Sequence, residues 1–531
     1  MSDYKVAKEA FVSGMTGSSI GHVNLLSSVA LVSIAIHSTL RTRLPAPSTA
    51  HVAFALDFLL LVTPLLLCLT LFANSPGTLV LALLIPTGLL LLIPKRESGT
   101  PLPSSTGVDG SNKARGPGML LPAVTIYRAH MLLMTMLSIL AVDFPVFPRA
   151  LAKCETFGVS LMDLGVGSFV FSQGLVSAAP LLKDPSYLSQ PTFPKILSVT
   201  RKALPVLSLG LVRVLLVKGT DYPEHVTEYG VHWNFFITLA LVPVLQVALH
   251  PLIASMPISL LAVLCALAHQ LALSLGGLQR YVLTAPRTTL VSANKEGIVS
   301  LVGYLAIHLL GLSAGTILLP PSPNYFRRQQ QALAHRRKDS NLVSTAVGKA
   351  RETENPFAHR HREDDRTATE LVSYAVVWWA LVGACMALGI GGGVSRRLVN
   401  LPYILWVAAY NTTFLLGYLV LELIFFPSPF SKSVYSPTSK LKVQADTAVA
   451  ASSDSAVPSA NPVRKAPELL EAVNRNGLVL FLLANLLTGA VNLAVRTMYT
   501  SDAAAMGILG AYALLISGAA WIARGRRLWQ L

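Results

Sequence analysis

Long apolar runs alternate with short polar joints along almost the whole chain. A helix needs about 20 apolar residues to cross a bilayer. Thirteen stretches approach that length: 21–40, 51–73, 77–94, 120–142, 161–180, 196–217, 230–249, 251–275, 296–318, 370–390, 398–426, 475–497 and 504–524. Two boundaries are weakly marked. Residues 161–180 are rich in Gly and Ser, and 230–249 is divided from 251–275 only by His250-Pro251. The runs are continuous and Leu-rich, unlike the alternating pattern of barrel strands. The pattern therefore predicts an all-α, polytopic membrane protein with about thirteen transmembrane helices, folded as a single transmembrane domain over 1–531. Residues 319–369, with Arg327, Arg328, Arg336, Arg337, Lys338, Arg360 and Arg362, read as a basic flexible loop. Residues 427–470, rich in Ser, Pro and Ala, read as a second one. No internal repeat is evident.

Composition agrees. Of 531 residues, 53% are hydrophobic and 13% charged, against about 25% charged in soluble domains. The net charge of +16 raises the question of nucleic acid. The basic residues sit in loops between apolar spans and form no continuous face, so no nucleic-acid partner is expected; membrane loops carry such a bias on their cytosolic side. Arg524, Arg526 and Arg527 put the C-terminus in the cytosol. Thirteen crossings then put the N-terminus in the lumen. Alternation places 41–50, 95–119, 319–369 and 427–470 with the C-terminus, including Arg41, Arg43, Lys95, Arg96, Lys113 and Arg115. It places 143–160, 218–229 and 276–295 on the luminal side. Residues 1–16 are polar without a cleavable signal pattern, so the first span is expected to be an uncleaved anchor. Cys68, Cys154, Cys265 and Cys385 show no metal-type spacing and no disulfide framework. The sequon Asn411-Thr412-Thr413 falls inside an apolar span and is expected to be unused.

Ionisable groups at a membrane boundary are costly and tend to be functional. The densest set is Asp143, Arg149, Lys153 and Glu155, interrupted by Pro145 and Pro148. On one straight helix Asp143 and Lys153 would point about 280° apart. The prolines break the helix and allow the two to meet. One reading makes Asp143 a general base coupled to Lys153; the other makes this an interfacial turn with an ion pair. A second cluster, Lys218 to Phe236, lies on the same predicted face. There His232 could act as acid, base or donor, and Trp233 could anchor at the interface. His225, Glu228 and His232 could share a helical face, but Gly230 and the absence of an HExxH pattern speak against a metal, and none is expected. Asp57, Arg128, Asp163, Arg213, His269, His308 and Glu422 fall within spans. Asp163 is expected to pair with Arg213 or Arg128, with Gly165, Gly167 and Ser168 allowing close packing or ligand approach. Cys154 beside Lys153 could be a nucleophile, although direct acyl transfer needs none where a base is present.

The run Ala141 to Val170, with Asp143, Phe147-Pro148-Arg149, Lys153, Glu155, Gly158, Ser160, Asp163, Gly165, Gly167 and Ser168, resembles the signature of the GPI-anchored wall transfer protein/PIG-W family. The segments Glu228 to Phe236, Glu296 to Tyr304, Arg475 to Asn492 and Lys8 to Gly14 also match. The chain departs from the family's pattern at Ala150, at His22–Val23 and in its two long loops. The resemblance implies an endoplasmic reticulum inositol acyltransferase. Such an enzyme transfers a fatty acyl group, typically palmitoyl, from acyl-CoA to glucosaminyl-phosphatidylinositol in GPI-anchor assembly, completed on the luminal side. It needs no cofactor, acyl-CoA being a co-substrate. Fungal members are antifungal targets, inhibited at the acyl-donor site. The resemblance implies Asp143 and Lys153 as the catalytic pair. His232 or Asn234 could assist. Arg128, Arg149, Glu155, Asp163, Ser168, Arg213, Glu228 and Trp233 are candidates for substrate contact, with Arg149 or Arg213 on a phosphate. A transporter of a lipid or anionic solute also uses intramembrane Asp, Arg and His, but no inverted repeats are seen. A non-enzymatic scaffold would leave so many ionisable groups at one face unexplained.

Overall fold

The computed structural model describes residues 7–8, 10–45, 47–95, 121–184, 186–217, 226–340, 362–426 and 466–529. Arg96, Lys113, Arg115, Arg360, the run 218–225 with His225, and most of 427–470 lie outside these. The thirteen apolar stretches each fall on a helix: α1 Ile20–Arg43, α2 Ala50–Leu69, α3 Pro76–Leu91, α4 Pro122–Ala141, α5 Leu161–Lys183, α6 Thr192–Val217, α7 Phe235–Ala248, α8 Ile258–Ser274, α9 Lys295–Leu318, α10 Asp364–Ala387, α11 Leu401–Phe425, α12 Gly477–Ala494 and α13 Asp502–Ile522. No strand occurs among the described residues.

Their starts follow capping chemistry. Ser19, Thr49, Ser160, Asn234 and Asn400 accept amides of the first turns of α1, α2, α5, α7 and α11. Proline sits in the opening turn of α3, α4 and α11, where its missing donor costs nothing.

The count of thirteen crossings is not confirmed. Nine helices among the described residues are long and apolar enough to span a bilayer: α1, α2, α4, α5 and α9 to α13. A tenth would be α8 joined to Leu278–Thr284 across a 63° bend. The helices α3 and α7 have only 16 and 14 residues. Helix α6 has 26 but carries Lys195, Arg201, Lys202 and Arg213. Nor is 319–369 wholly a loop, since it opens with a helix, Tyr325–Ser340, and Asp364 already begins α10. The second long segment closes on a helix, Glu468–Arg475.

Helices α5 and α9 pack backbone against backbone. Gly174 faces the carbonyl of His308, Gly311 that of Phe171, and Gly315 that of Leu175, each too close to admit a side chain. Apolar burial gains little where lipid is the alternative, so small residues that permit such contact drive helix pairing. Helix α11 runs through the centre, with Tyr403 and Trp406 wholly buried. The C-terminal ends of α4 and α12 and the N-terminal ends of α1, α5, α9 and α11 gather around the segment 142–160.

Candidate active site

Helix α4 closes on a tight turn: the amides of Val142 and Asp143 donate to the carbonyls of Ser138 and Leu140, both at 3.1 Å. Pro145 and Pro148 prevent it from continuing, and a short 3₁₀ turn, Arg149–Leu151, follows Pro148. Phe144 and Phe147 are fully buried and anchor the break. Three carbonyls of the break accept from one side chain. Arg149 donates to Val142 (2.9 Å), Phe144 (3.0 Å) and Phe147 (2.8 Å), and lies over the Phe11 ring at 4.2 Å. Arg149 does not line the cavity described below. Its guanidinium braces the helix end, a favoured place for a cation.

The break leaves Asp143 buried, 4% exposed. Its Oδ2 accepts from Asn492 Nδ2 at 2.8 Å, and its Oδ1 lies 3.5 Å from Lys8 Nζ. Lys153 takes a different partner: its ammonium donates to both oxygens of Glu228, at 2.8 and 3.0 Å. Asp143 and Lys153 thus do not form the ion pair expected from their shared loop.

Glu228 continues into a second network. Arg396 lies 3.5 Å from Glu228 and donates to Asp163 at 2.5 Å. Asp163 also accepts from Ser160 Oγ and the Cys154 amide, both at 2.9 Å. The expected pairing of Asp163 with Arg128 or Arg213 is therefore replaced by Arg396. The cause is a glycine run: Gly389, Gly391, Gly392 and Gly393 all have positive φ, open to residues without a Cβ, and turn Ser395-Arg396-Arg397 inward. Burial works against the Arg396 charge, but Glu228 and Asp163 outweigh it and raise its pKa well above the ordinary value. Behind this lies Glu296, wholly buried, held by Arg287 at 2.6 and 2.9 Å and by Arg397 at 3.0 Å.

Asp143, Lys153, Glu228 and Arg396 line one cavity of about 570 Å³, within the usual range for ligand sites. Much of its wall is apolar, with Met131, Met134, Leu164, Phe169, Phe235 and Phe481. Arg128, Glu155, Ser168, Arg213, Trp233 and Asn234 also line it. Ser168 Oγ and Arg128 Nε are buried without a protein partner. Glu155 and Arg213 are exposed. Asn234 is occupied as the cap of α7, donating to Gly210 O at 2.7 Å, and the Trp233 indole donates to Thr238 at 2.9 Å. His232 is exposed, does not line the cavity, and is held through its amide by Asn294. Cys154 is buried, and burial together with neighbouring Asp163 pushes its thiol up to about 12; a thiolate nucleophile is disfavoured there.

Other groups within spans have structural partners. Asp57 meets His37 at 2.9 Å, His269 the Leu398 carbonyl at 3.0 Å, and Glu422 the Ala123 amide at 3.2 Å. Asn411, of the sequon, is wholly buried and accepts from Tyr127. Sequence reasoning passed over Lys8, Asn492 and Arg396 as site residues. Lys8 and Asn492 lay inside segments matched to a family, and Arg396-Arg397 at the mouth of a span after four glycines was a visible signal.

A family model, GWT1, matches residues 4–523. GPI-anchored wall transfer protein 1 of Cryptococcus neoformans var. grubii serotype A is 46% identical over 426 residues, covering 77% of this chain and 63%, under two thirds, of that relative. The same-named protein of C. neoformans var. neoformans serotype D is 38% identical over 99% of both chains. That of Gibberella zeae is 40% identical over 97% of this chain and 96% of its own. On a match that runs nearly end to end, this chain belongs to the GWT1 family.

Proposed function

We propose that this chain is an inositol acyltransferase of GPI-anchor biosynthesis. It moves a fatty acyl group, palmitoyl in the first instance, from acyl-CoA to the inositol ring of glucosaminyl-phosphatidylinositol in the endoplasmic reticulum membrane. The observation that carries this is the convergence of Asp143 and Lys153, on separate counter-ions, at one largely apolar cavity. A buried methylene is worth roughly 0.8 kcal/mol. The acyl tail can partition into lipid as well, so the cavity's selectivity lies in its length more than in its greasiness.

Asp143 takes the proton of an inositol hydroxyl. The oxygen attacks the thioester carbonyl, and the new C–O bond forms as the carbonyl becomes an oxyanion. Lys153, with its side chain 37% exposed while bound to Glu228, stabilises that charge. Collapse breaks the C–S bond, and the departing CoA thiolate recovers the proton from Asp143. Ser168 and Arg128 offer polar contacts within the wall.

A positioned general base is worth about 10²–10⁴ in rate. Asp143→Asn, in purified full-length protein given palmitoyl-CoA and glucosaminyl-phosphatidylinositol, is expected to lose that much turnover while still folding, with a lower melting temperature because the buried Lys8 loses its opposite charge. Near-normal turnover would refute the base role.

A further inference from the structure

Lys8 and Asn492 converge on Asp143 from opposite ends of the chain. The Asn492 amide is fixed in sense: Nδ2 donates to Asp143 at 2.8 Å and to the Thr488 carbonyl at 3.0 Å. Its Oδ1 accepts from Lys8 Nζ at 2.6 Å and from Thr497 Oγ1 at 3.3 Å. Turned over, it would set oxygen against carboxylate and NH₂ against ammonium. Lys8 is 4% exposed, and a cation that deeply buried needs an opposite charge; Asp143, at 3.5 Å, supplies it. Neither Lys8 nor Asn492 lines the cavity, whereas Asp143 does. They stand behind the carboxylate.

Lys8 reaches this place because the segment 10–18 that follows it crosses the 142–160 loop and is pinned to it. The Phe11 ring lies under Arg149. The Met15 carbonyl accepts from the Glu155 amide at 3.0 Å, and the Ser18 amide donates to Val159 at 2.6 Å. Gly17, at φ +81°, packs on Cys154 Sγ and Val159 with no room for a Cβ. Ser19 then caps α1.

We infer that Lys8 and Asn492 are positioning residues for Asp143: Lys8 is its counter-ion, Asn492 aims it, and the segment 10–18 is the strap that holds Lys8 in place. The inference rests on Asp143 being the base proposed above. It also divides the two lysines. An adjacent cation favours the ionised carboxylate. With Lys8 in that role, Lys153 is not needed to hold Asp143 and can face the reacting carbonyl.

The test uses full-length protein in nanodiscs. Lys8→Met keeps the stem and removes the charge. Because Lys8 touches no substrate, kcat should fall by roughly 10²-fold, the scale of a misplaced catalytic group. KM for palmitoyl-CoA and for the acceptor lipid should stay within about twofold of wild type, the signature of a loss confined to turnover. Lys8→Arg, which keeps the cation, should recover most of the kcat, and Asn492→Leu should repeat the Lys8→Met split. Wild-type kcat in Lys8→Met overturns the inference. So does equal loss in Lys8→Arg, which would mean packing and not charge. Asp143→Asn in the same assay separates the levels. If it is inactive while Lys8→Met is active, only this inference falls; if it is active, the base reading falls too.

Discussion

Arg396 shows how much one side chain can carry. It joins Asp163, beneath the loop, to Glu228, which holds Lys153 at the cavity wall. Arg396→Met therefore leaves the buried Asp163 short of its cation, while Glu228 keeps Lys153. Breaking a buried pair by removing one partner costs about 3–5 kcal/mol. The variant should unfold at a markedly lower temperature in detergent and lose turnover as the loop that carries Lys153, tied to Asp163 through the Cys154 amide, loosens; an unchanged melting curve would show that the network contributes little. The same residues explain what was legible in the sequence. The crowding of acids, bases and prolines in 143–155 marked the right loop, because a charge at a membrane boundary stands out against apolar sequence. Partners did not. Asn492 is 349 residues from Asp143, and Glu228 is 75 from Lys153, distances at which spacing says nothing. Arg128 and Arg213 were the natural partners for Asp163 because they lie within spans, whereas Arg396 waits in a loop that glycines turn inward.

At the scale of the element, hydropathy located helices better than it measured them. Apolar sequence continues through Pro86 in α3, which ends after 16 residues, and across His250-Pro251, where the short helix His250–Ser255 intervenes before α8. Periodicity also gave no hint of which faces meet. That is settled by small residues, most tightly along α5 and α9. Gly311 abuts the Phe171 carbonyl, so a side chain there has to push the helices apart. Overpacking of this kind costs about 1–3 kcal/mol, occasionally more. It also matters for the site, because α5 carries Asp163 and α9 carries Glu296. Gly311→Leu is expected to lower both the unfolding temperature and the turnover, while Gly489→Leu on α12, where a side chain meets open space, should change neither. If the two variants behave alike, backbone contact between α5 and α9 does not hold the bundle.

At the scale of the whole molecule, helix α1 joins the site to a basic region at the opposite end of the bundle. Helix α1 has 24 residues and is about 36 Å long at 1.5 Å per residue. It starts beside the site, where Gly17 and Ser18 pair with Val159, and finishes at Arg41 and Arg43. There a second cavity of about 510 Å³ is lined by Arg41, Arg475 and Arg524 together with Asp57, Glu468 and Glu471. Cytosolic loops gather Lys and Arg, so this end should face the cytosol and the Asp143 end the lumen. Two exposed positions read the orientation: Leu44, just past the end of α1, and His232, beside the site. In sealed microsomes, with the native cysteines replaced, a membrane-impermeant maleimide should label Leu44→Cys directly. It should label His232→Cys only after permeabilisation. The reverse pattern would put Asp143 and Lys153 on the cytosolic face and overturn this orientation.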